Sequence, residues 1–241
     1  MKRKRFLLSV LPVYIAVLCG LLLSGIAAGN VISTLSESAP VTQRKCIIID
    51  PGHGGEDGGA ISCTGVSESA INLEIALRLE DLMHLLGVKT LMIRTTDCSV
   101  YTQGQTIAAK KVSDLKERVR IVNSTSNALL ISIHQNKFSD GQYSGAQVFY
   151  AQTPGSEALA KAMQSTLIRS VNPGSRRMAK KADGVYLMKH AECTGILVEC
   201  GFLSNPEEEA KLRSASYQKK LCCVMAAVCS SYAQGNVPTA A

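Results

Sequence analysis

From about residue 45 onward, short apolar runs alternate with segments whose apolar residues recur at helical spacing. Residues 46–50, Cys-Ile-Ile-Ile-Asp, form a continuous β-branched run that ends in Pro51-Gly52 and predicts a buried strand. Residues 70–86 carry Ile71, Ile75, Leu79, Leu82 and Leu86 on one helical face, with Gly87 as the stop. A strand is expected at 88–93 and a helix at 114–124, where Leu115, Val119 and Val122 share a face. Further strands are expected at 129–133, 146–150 and 195–199, and helices at 155–171 and 215–233, the last ending near Gly235. This alternation predicts an α/β fold: a single domain with a mainly parallel twisted sheet covered by helices on both faces.

A different pattern precedes it. Residues 6–28 are an uncharged, mostly apolar run of 23 residues, preceded by Lys2, Arg3, Lys4 and Arg5. About 20 apolar residues span a bilayer as a helix, whereas a cleavable signal has an apolar region of roughly 7–15. Length favours a retained membrane anchor, and the small residues Ala27, Ala28 and Gly29 keep a cleaved signal open. The flanking cations place residues 2–5 in the cytoplasm and everything after residue 29 outside. The expected organisation is therefore an anchor or signal at 1–29, a Ser/Thr-rich linker at 30–44, a catalytic domain at 45–235 and a tail at 236–241.

Charge then changes its meaning. The 241 residues hold 26 Lys and Arg against 19 Asp and Glu, a formal +7. Without the four N-terminal cations, 22 against 19 leave about +3, too little for a nucleic-acid-binding surface. Of nine cysteines, Cys19 lies in the apolar run and no two of the other eight form a C-x-x-C pair, which argues against a zinc ribbon or redox motif. Cys222 and Cys229, seven apart, share a helical face and read as core packing.

Open parallel sheets bind ligands at the carboxyl ends of their strands. His53 follows the first strand in Asp50-Pro-Gly-His-Gly-Gly55, His134 ends the 129–133 strand, Glu199 ends the 195–199 strand, and Glu68 sits just ahead of the 70–86 helix. Two imidazoles and a carboxylate can hold zinc with one position open to water, and a second carboxylate can act as general base. On that reading His53, Glu68 and His134 are the metal ligands and Glu199 the catalytic residue. Each has a plainer reading too. Either histidine could be a hydrogen-bonded structural residue, Glu68 a favourable charge at a helix N-terminus, and Glu199 a buried ion-pair partner. The glycines at 52–59 lack a Walker Lys and do not form a G-x-G-x-x-G phosphate loop. His84 and His190 read as ordinary helix and surface residues. Arg118 and the segment 95–111 read as a cleft wall or lid, and Arg118 equally as a helix-surface ion pair.

Taken together, Ile49-Asp-Pro-Gly-His-Gly-Gly55, Glu68 before Asn72-Leu-Glu-Ile-Ala76, Ser132-Ile-His-Gln-Asn136 and Glu199-Cys-Gly-Phe-Leu-Ser-Asn205 resemble the zinc-dependent N-acetylmuramoyl-L-alanine amidases of type 3. The resemblance covers roughly residues 45–233. It implies Zn²⁺ at His53, Glu68 and His134, catalysis by Glu199, and cleavage of the amide between muramic acid and L-alanine. Ser144-Gly-Ala-Gln-Val-Phe-Tyr150, Gly184-Val-Tyr-Leu-Met188 and the short N-terminal apolar segment look like the germination-specific, CwlD-type branch of spore formers. That branch implies spore-cortex peptidoglycan, glycan strands with stem peptides, as substrate and a route to muramic δ-lactam. The chain departs from the family in Gln135 and Lys137 around Asn136, in Cys200, and in Ser69-Ala70 after Glu68, where Lys and an acidic residue are common. The competing expectations are a zinc peptidase acting on stem peptides and a non-catalytic, membrane-anchored wall-binding or scaffold protein. No nucleic acid is expected as partner, and the sequence names no activating partner protein.

Overall fold

The computed structural model describes residues 45–235. The expected membrane segment at 6–28, the linker at 30–44 and the tail at 236–241 lie outside the described residues. Among the described residues, no helix is long and apolar enough to cross a membrane.

Six strands form one sheet: β1 (Cys46–Pro51), β2 (Thr90–Met92), β3 (Ala128–Asn136), β4 (Gln147–Tyr150), β5 (Lys180–Lys181) and β6 (Thr194–Phe202), in the order β2-β1-β3-β6-β4-β5. Six helices accompany them: α1 (Glu68–Leu85), α2 (Ile107–Ser124), α3 (Ser156–Ser170), α4 (Tyr186–His190), α5 (Pro206–Leu212) and α6 (Ala215–Ala233). The first four strands in spatial order are parallel, and β4 pairs with β5 in parallel, but β4 runs antiparallel to β6. The sheet is thus mainly parallel, as expected, and mixed at the β4–β6 seam alone. The cause of that seam is the connection at 137–146, which contains no helix to carry the chain back across the sheet. The chain returns in the opposite direction, leaving room for β6 between β3 and β4.

The continuous apolar runs of the central strands arise because both faces are covered. Ile47, Ile49, Ile131 and Val198 pack against Ile75 and Leu79 of α1, Met163 of α3 and Met225 of α6. Ile48, Leu130 and Leu197 point the other way, towards Val122 of α2 and Leu187 of α4. Burying each such side chain stabilises the fold by roughly 1.5–3 kcal/mol. Cys222 and Cys229 share the core face of α6, as expected, and burial pushes both thiols up to about 12. All eight described cysteines are free thiols.

Three boundaries differ from the sequence expectation in ways that matter below. Helix α2 begins at Ile107 rather than 114; the apolar residues of its first turns, Ile107 and Val112, face solvent and so do not continue the apolar face of Leu115, Val119 and Val122. Thr106 caps it, its Oγ1 accepting from the Ala109 N–H at 3.2 Å. Strands β3 and β6 each run three residues beyond their expected ends. His134 and Glu199 therefore lie within paired strands.

Candidate metal centre

His53, Glu68 and His134 converge, each offering one ligand atom, with those atoms within 4.8 Å of one another. His53 Nε2 lies 3.3 Å from Glu68 Oε2, and His134 Nδ1 lies 2.9 Å from Glu68 Oε1. The two imidazoles meet edge to face, 5.0 Å between centroids. Donors arranged tetrahedrally at ~2.0–2.1 Å from a zinc ion stand roughly 3.3 Å apart. Each histidine stands at about that distance from a Glu68 oxygen, His53 from Oε2 and His134 from Oε1, so the two imidazoles and one carboxylate suit a small divalent cation.

Three elements deliver these groups. Glu68 is the first residue of α1, and both its oxygens also accept main-chain hydrogen bonds, from Ala60 N–H at 3.0 Å and Gln135 N–H at 3.1 Å. Its fixed position exceeds what attraction to a helix N-terminus alone requires. Asn72, one turn on, donates to Glu68 Oε1 at 3.3 Å and to the Gly52 carbonyl at 3.1 Å. His134 projects from β3, and its ring lies so close to Gly52 that a Cβ there would come within 2.2 Å of it. Gly59 is equally tight: a Cβ would sit 2.6 Å from Glu68 Oε2 and from the His53 ring. Glycine is required at both positions by contact with the clustered side chains themselves.

His53 adopts a left-handed backbone, φ 60, a conformation that costs a non-glycine residue about 1 kcal/mol or more. Two buried arginines hold the loop there. Arg118 donates to the carbonyls of Pro51 at 3.0 Å and His53 at 2.7 Å, and Arg94 donates to those of Pro51 and Gly52, each at 3.0 Å. Arg118 also pairs with Asp50 and Asp114 and is only 3% exposed. The helix-surface reading of Arg118 is corrected accordingly. Its side chain points through the sheet's edge to the loop, because α2 lies against that face. The segment 95–111 is a wall behind the loop: Gly55 N–H donates to Asp97 Oδ1 at 2.9 Å, and Lys110 and Lys111 pair with Glu56 and Asp57.

Asp57 completes the histidine. The His53 Nδ1 hydrogen donates to Asp57 Oδ2 at 2.9 Å, which turns Nε2 towards Glu68 and His134. Sequence reasoning missed Asp57 and Arg94. The only available signal for Asp57 was its place four residues after His53 within the glycine-rich loop, and for Arg94 its place one residue past a strand.

Glu199 pairs in register with His134 across β3 and β6, so the two residues stand about 4.8 Å apart and face the same side. No ion pair reaches Glu199 among the described residues, and its buried Oε2 has no hydrogen-bond partner. Burial pushes its carboxyl up to about 7, against the pull of the His134 and His53 charges. At Glu68, burial is outweighed by the hydrogen bonds and charges of His134 and His53, which hold its carboxyl far below the usual range. For His53, burial lowers the basicity but Glu68 and Asp57 outweigh it, lifting the imidazole to about 9. The other two histidines stay out of the site. His84 contacts Thr90 Oγ1 at 2.7 Å, and His190 stacks on Tyr186 at 4.1 Å.

Residues 47–228 match the family model described as N-acetylmuramoyl-L-alanine amidase. The chain is 38% identical over 179 residues to the germination-specific N-acetylmuramoyl-L-alanine amidase of Bacillus subtilis strain 168, covering 73% of this chain and 75% of that protein. Among solved structures it is similar to the CwlD amidase of Clostridioides difficile in complex with the GerS lipoprotein, with TM-score 0.76, 35% identity, and 79% and 99% of the two chains covered. An N-acetylmuramoyl-L-alanine amidase from Clostridium difficile 630 superposes with TM-score 0.69 at 28% identity, covering 80% of this chain and 98% of that one. With the family's match spanning nearly all of the described domain, and with His53, Glu68 and His134 gathered at one sheet edge, the chain belongs to the N-acetylmuramoyl-L-alanine amidases.

Proposed function

We propose that His53, Glu68 and His134 hold Zn²⁺, that Glu199 is the general base, and that the substrate is spore-cortex peptidoglycan. One observation carries the mechanistic part: a carboxylate whose buried Oε2 has no partner lies in register beside a histidine of the cluster that could hold a metal. Zinc bound there would polarise the scissile carbonyl and acidify a water. Glu199, whose carboxyl titrates at about 7, takes a proton at Oε2 and passes it to the leaving L-alanyl nitrogen. Asp57 keeps the His53 proton on Nδ1, so Nε2 presents its lone pair to the cluster. The arginine clamp keeps the His53 backbone in its left-handed turn throughout.

The cortex assignment rests on the germination-specific relative, and the apolar segment at 6–28 is proposed to hold the domain outside the cytoplasmic membrane. A lipoprotein partner of the kind seen with the Clostridioides difficile relative is part of the same proposal. The test is digestion of purified cortex peptidoglycan by zinc-loaded protein, with metal content measured in parallel. Muramic acid with a free lactyl group and peptides beginning at L-alanine are expected, and spores lacking the protein are expected to lose δ-lactam. His134→Ala and Glu68→Gln should each abolish stoichiometric zinc while keeping the fold. New termini within the stem peptide would replace the amidase mechanism by a peptidase, and metal retained in either variant would overturn the ligand assignment.

A further inference from the structure

A groove of about 1250 Å³ opens between the 137–146 loop, the 171–178 loop and α5, against β4, which pairs with the strand that carries Glu199. Gln147, which pairs in register with Glu199, lines its inner end. The groove's charged lining consists of Arg176, Arg177, Lys180 and Lys211 against Glu207 and Glu208, and Glu208 is buried and accepts from the Gly145 N–H at 2.7 Å. The surplus is cationic.

Arg177 differs from the other three cations in being held. Its Nε donates to the Ser144 carbonyl at 3.0 Å, and its guanidinium lies over the ring of Phe202, 4.7 Å from the centroid. Phe202 is fully buried and stands three residues beyond Glu199, about 10 Å along β6 at ~3.3 Å per residue. The loop that presents Arg177 is itself fastened, since Asn172 Oδ1 accepts from the Ala146 N–H at 3.1 Å and its carbonyl accepts from the Ser175 N–H at 3.1 Å. The two terminal nitrogens of Arg177 make no hydrogen bond to any described residue. A guanidinium anchored by its Nε and by a ring face, with both terminal nitrogens unspent, is pre-organised for bidentate recognition of a carboxylate.

The substrate's two limbs differ in charge. N-acetylated glycan strands are neutral, whereas the stem peptide carries carboxylates on its acidic residues and at its C-terminus. We propose that this groove receives the peptide limb and that Arg177 binds one of its carboxylates, making Arg177 a specificity-determining residue for the substrate. The proposal rests on the amidase reading and adds a peptide subsite to it. The Phe138 and Tyr143 rings, 5.1 Å apart and 46% and 42% exposed, stand against Phe202 at the groove's outer rim.

The test compares zinc-loaded wild type and Arg177→Gln on two soluble muropeptides that differ only in having free or amidated peptide carboxylates. On the free-carboxylate substrate Arg177→Gln is expected to raise KM 10- to 100-fold, Arg177→Lys is expected to recover part of the loss, and zinc content is expected to stay stoichiometric. On the amidated substrate, wild type and Arg177→Gln are expected to agree within twofold. Equal losses on both substrates, or no loss on either, would overturn the proposal. A second arm removes turnover: binding of the free peptide beginning at L-alanine is measured by calorimetry on Glu199→Gln protein with and without Arg177→Gln. A tenfold weakening supports the carboxylate contact, and unchanged affinity refutes it. Failure of wild type to cleave either muropeptide would count against the amidase reading, and the binding arm would then decide the groove alone.

Discussion

Two carboxylates sit near the carboxyl ends of β1 and β6, the strands that flank β3, and their surroundings are opposite. Asp50, at the end of β1, is 1% exposed; it pairs with Arg118 and accepts from Ser132 Oγ at 2.6 Å. Burial alone would raise its carboxyl, but Arg118 and Ser132 outweigh that and lower it. Glu199, on β6, is also desolvated but has no donor for Oε2, and its carboxyl rises to about 7. Asp50 anchors the arginine that shapes the metal loop. Glu199 is left with an oxygen to spend on a proton. The contrast separates a carboxylate that maintains geometry from the one proposed to perform chemistry, and it does so by counting donors, since burial raises both.

Breaking the comparison at the Glu199 end gives the largest effect. Glu199→Gln is expected to lower kcat/KM about 10²–10⁴-fold, with the melting temperature unchanged or raised, because a desolvated charge without partners is removed. A kinetic loss accompanied by a large fall in melting temperature would make Glu199 a structural residue. At the other end, Arg118→Met leaves Asp50 buried and uncompensated, and urea unfolding should show a loss of about 3–5 kcal/mol. Combining it with Asp50→Asn should restore part of that stability, whereas additive losses would break the assignment of the pair as a unit.

A smaller effect sharpens the comparison through pH. In chelator-treated protein His53 titrates at about 9 when folded, against 6.5 as a free side chain. A raised folded pKa contributes stability that is complete below the unfolded value and is lost as pH rises through the folded one. Unfolding free energy of the chelated protein should therefore fall between pH 6.5 and 9, by on the order of 3 kcal/mol at most. Zinc-loaded protein should lack this decline, because the metal requires neutral His53 and replaces its proton. A flat profile for the chelated protein would show that Glu68 and His53 are not paired through a proton.

The four chemically loaded residues were legible because each falls at a strand end or helix start that periodicity could find. His53, Glu68, His134 and Glu199 needed only that their elements be placed to within a few residues. Their supports were less visible. Arg118 follows a helical pattern in which Leu115, Val119 and Val122 mark the apolar face, and nothing in the spacing shows that a guanidinium would reach past that face to the carbonyls of Pro51 and His53. Asp57 acts through a loop conformation set by a left-handed histidine, which propensity does not anticipate. The reversal of β4 was hidden because strand direction is decided by what the connection contains, and residues 137–146 show no helical period. The short elements β5 and α4 have too few residues for any period, although Asn205-Pro206-Glu207-Glu208 carries a readable cap for α5, with Asn205 Oδ1 accepting from two main-chain N–H groups.

Under the proposed mechanism, the pairing of His134 with Glu199 in β3 and β6 also makes strand register a catalytic parameter. A slip by one residue would turn Glu199 to the opposite face and leave the metal cluster without a base. What prevents the slip is remote from the reaction: Leu130, Ile131, Ile196 and Leu197 alternate between the two cores, so any shift would exchange their faces. The irregularity in the ladder comes only after His134 and Glu199 have been matched. The hydrophobic interior thus works as an alignment gauge, setting the distance from Glu199 to His134 by the way leucines and isoleucines pack.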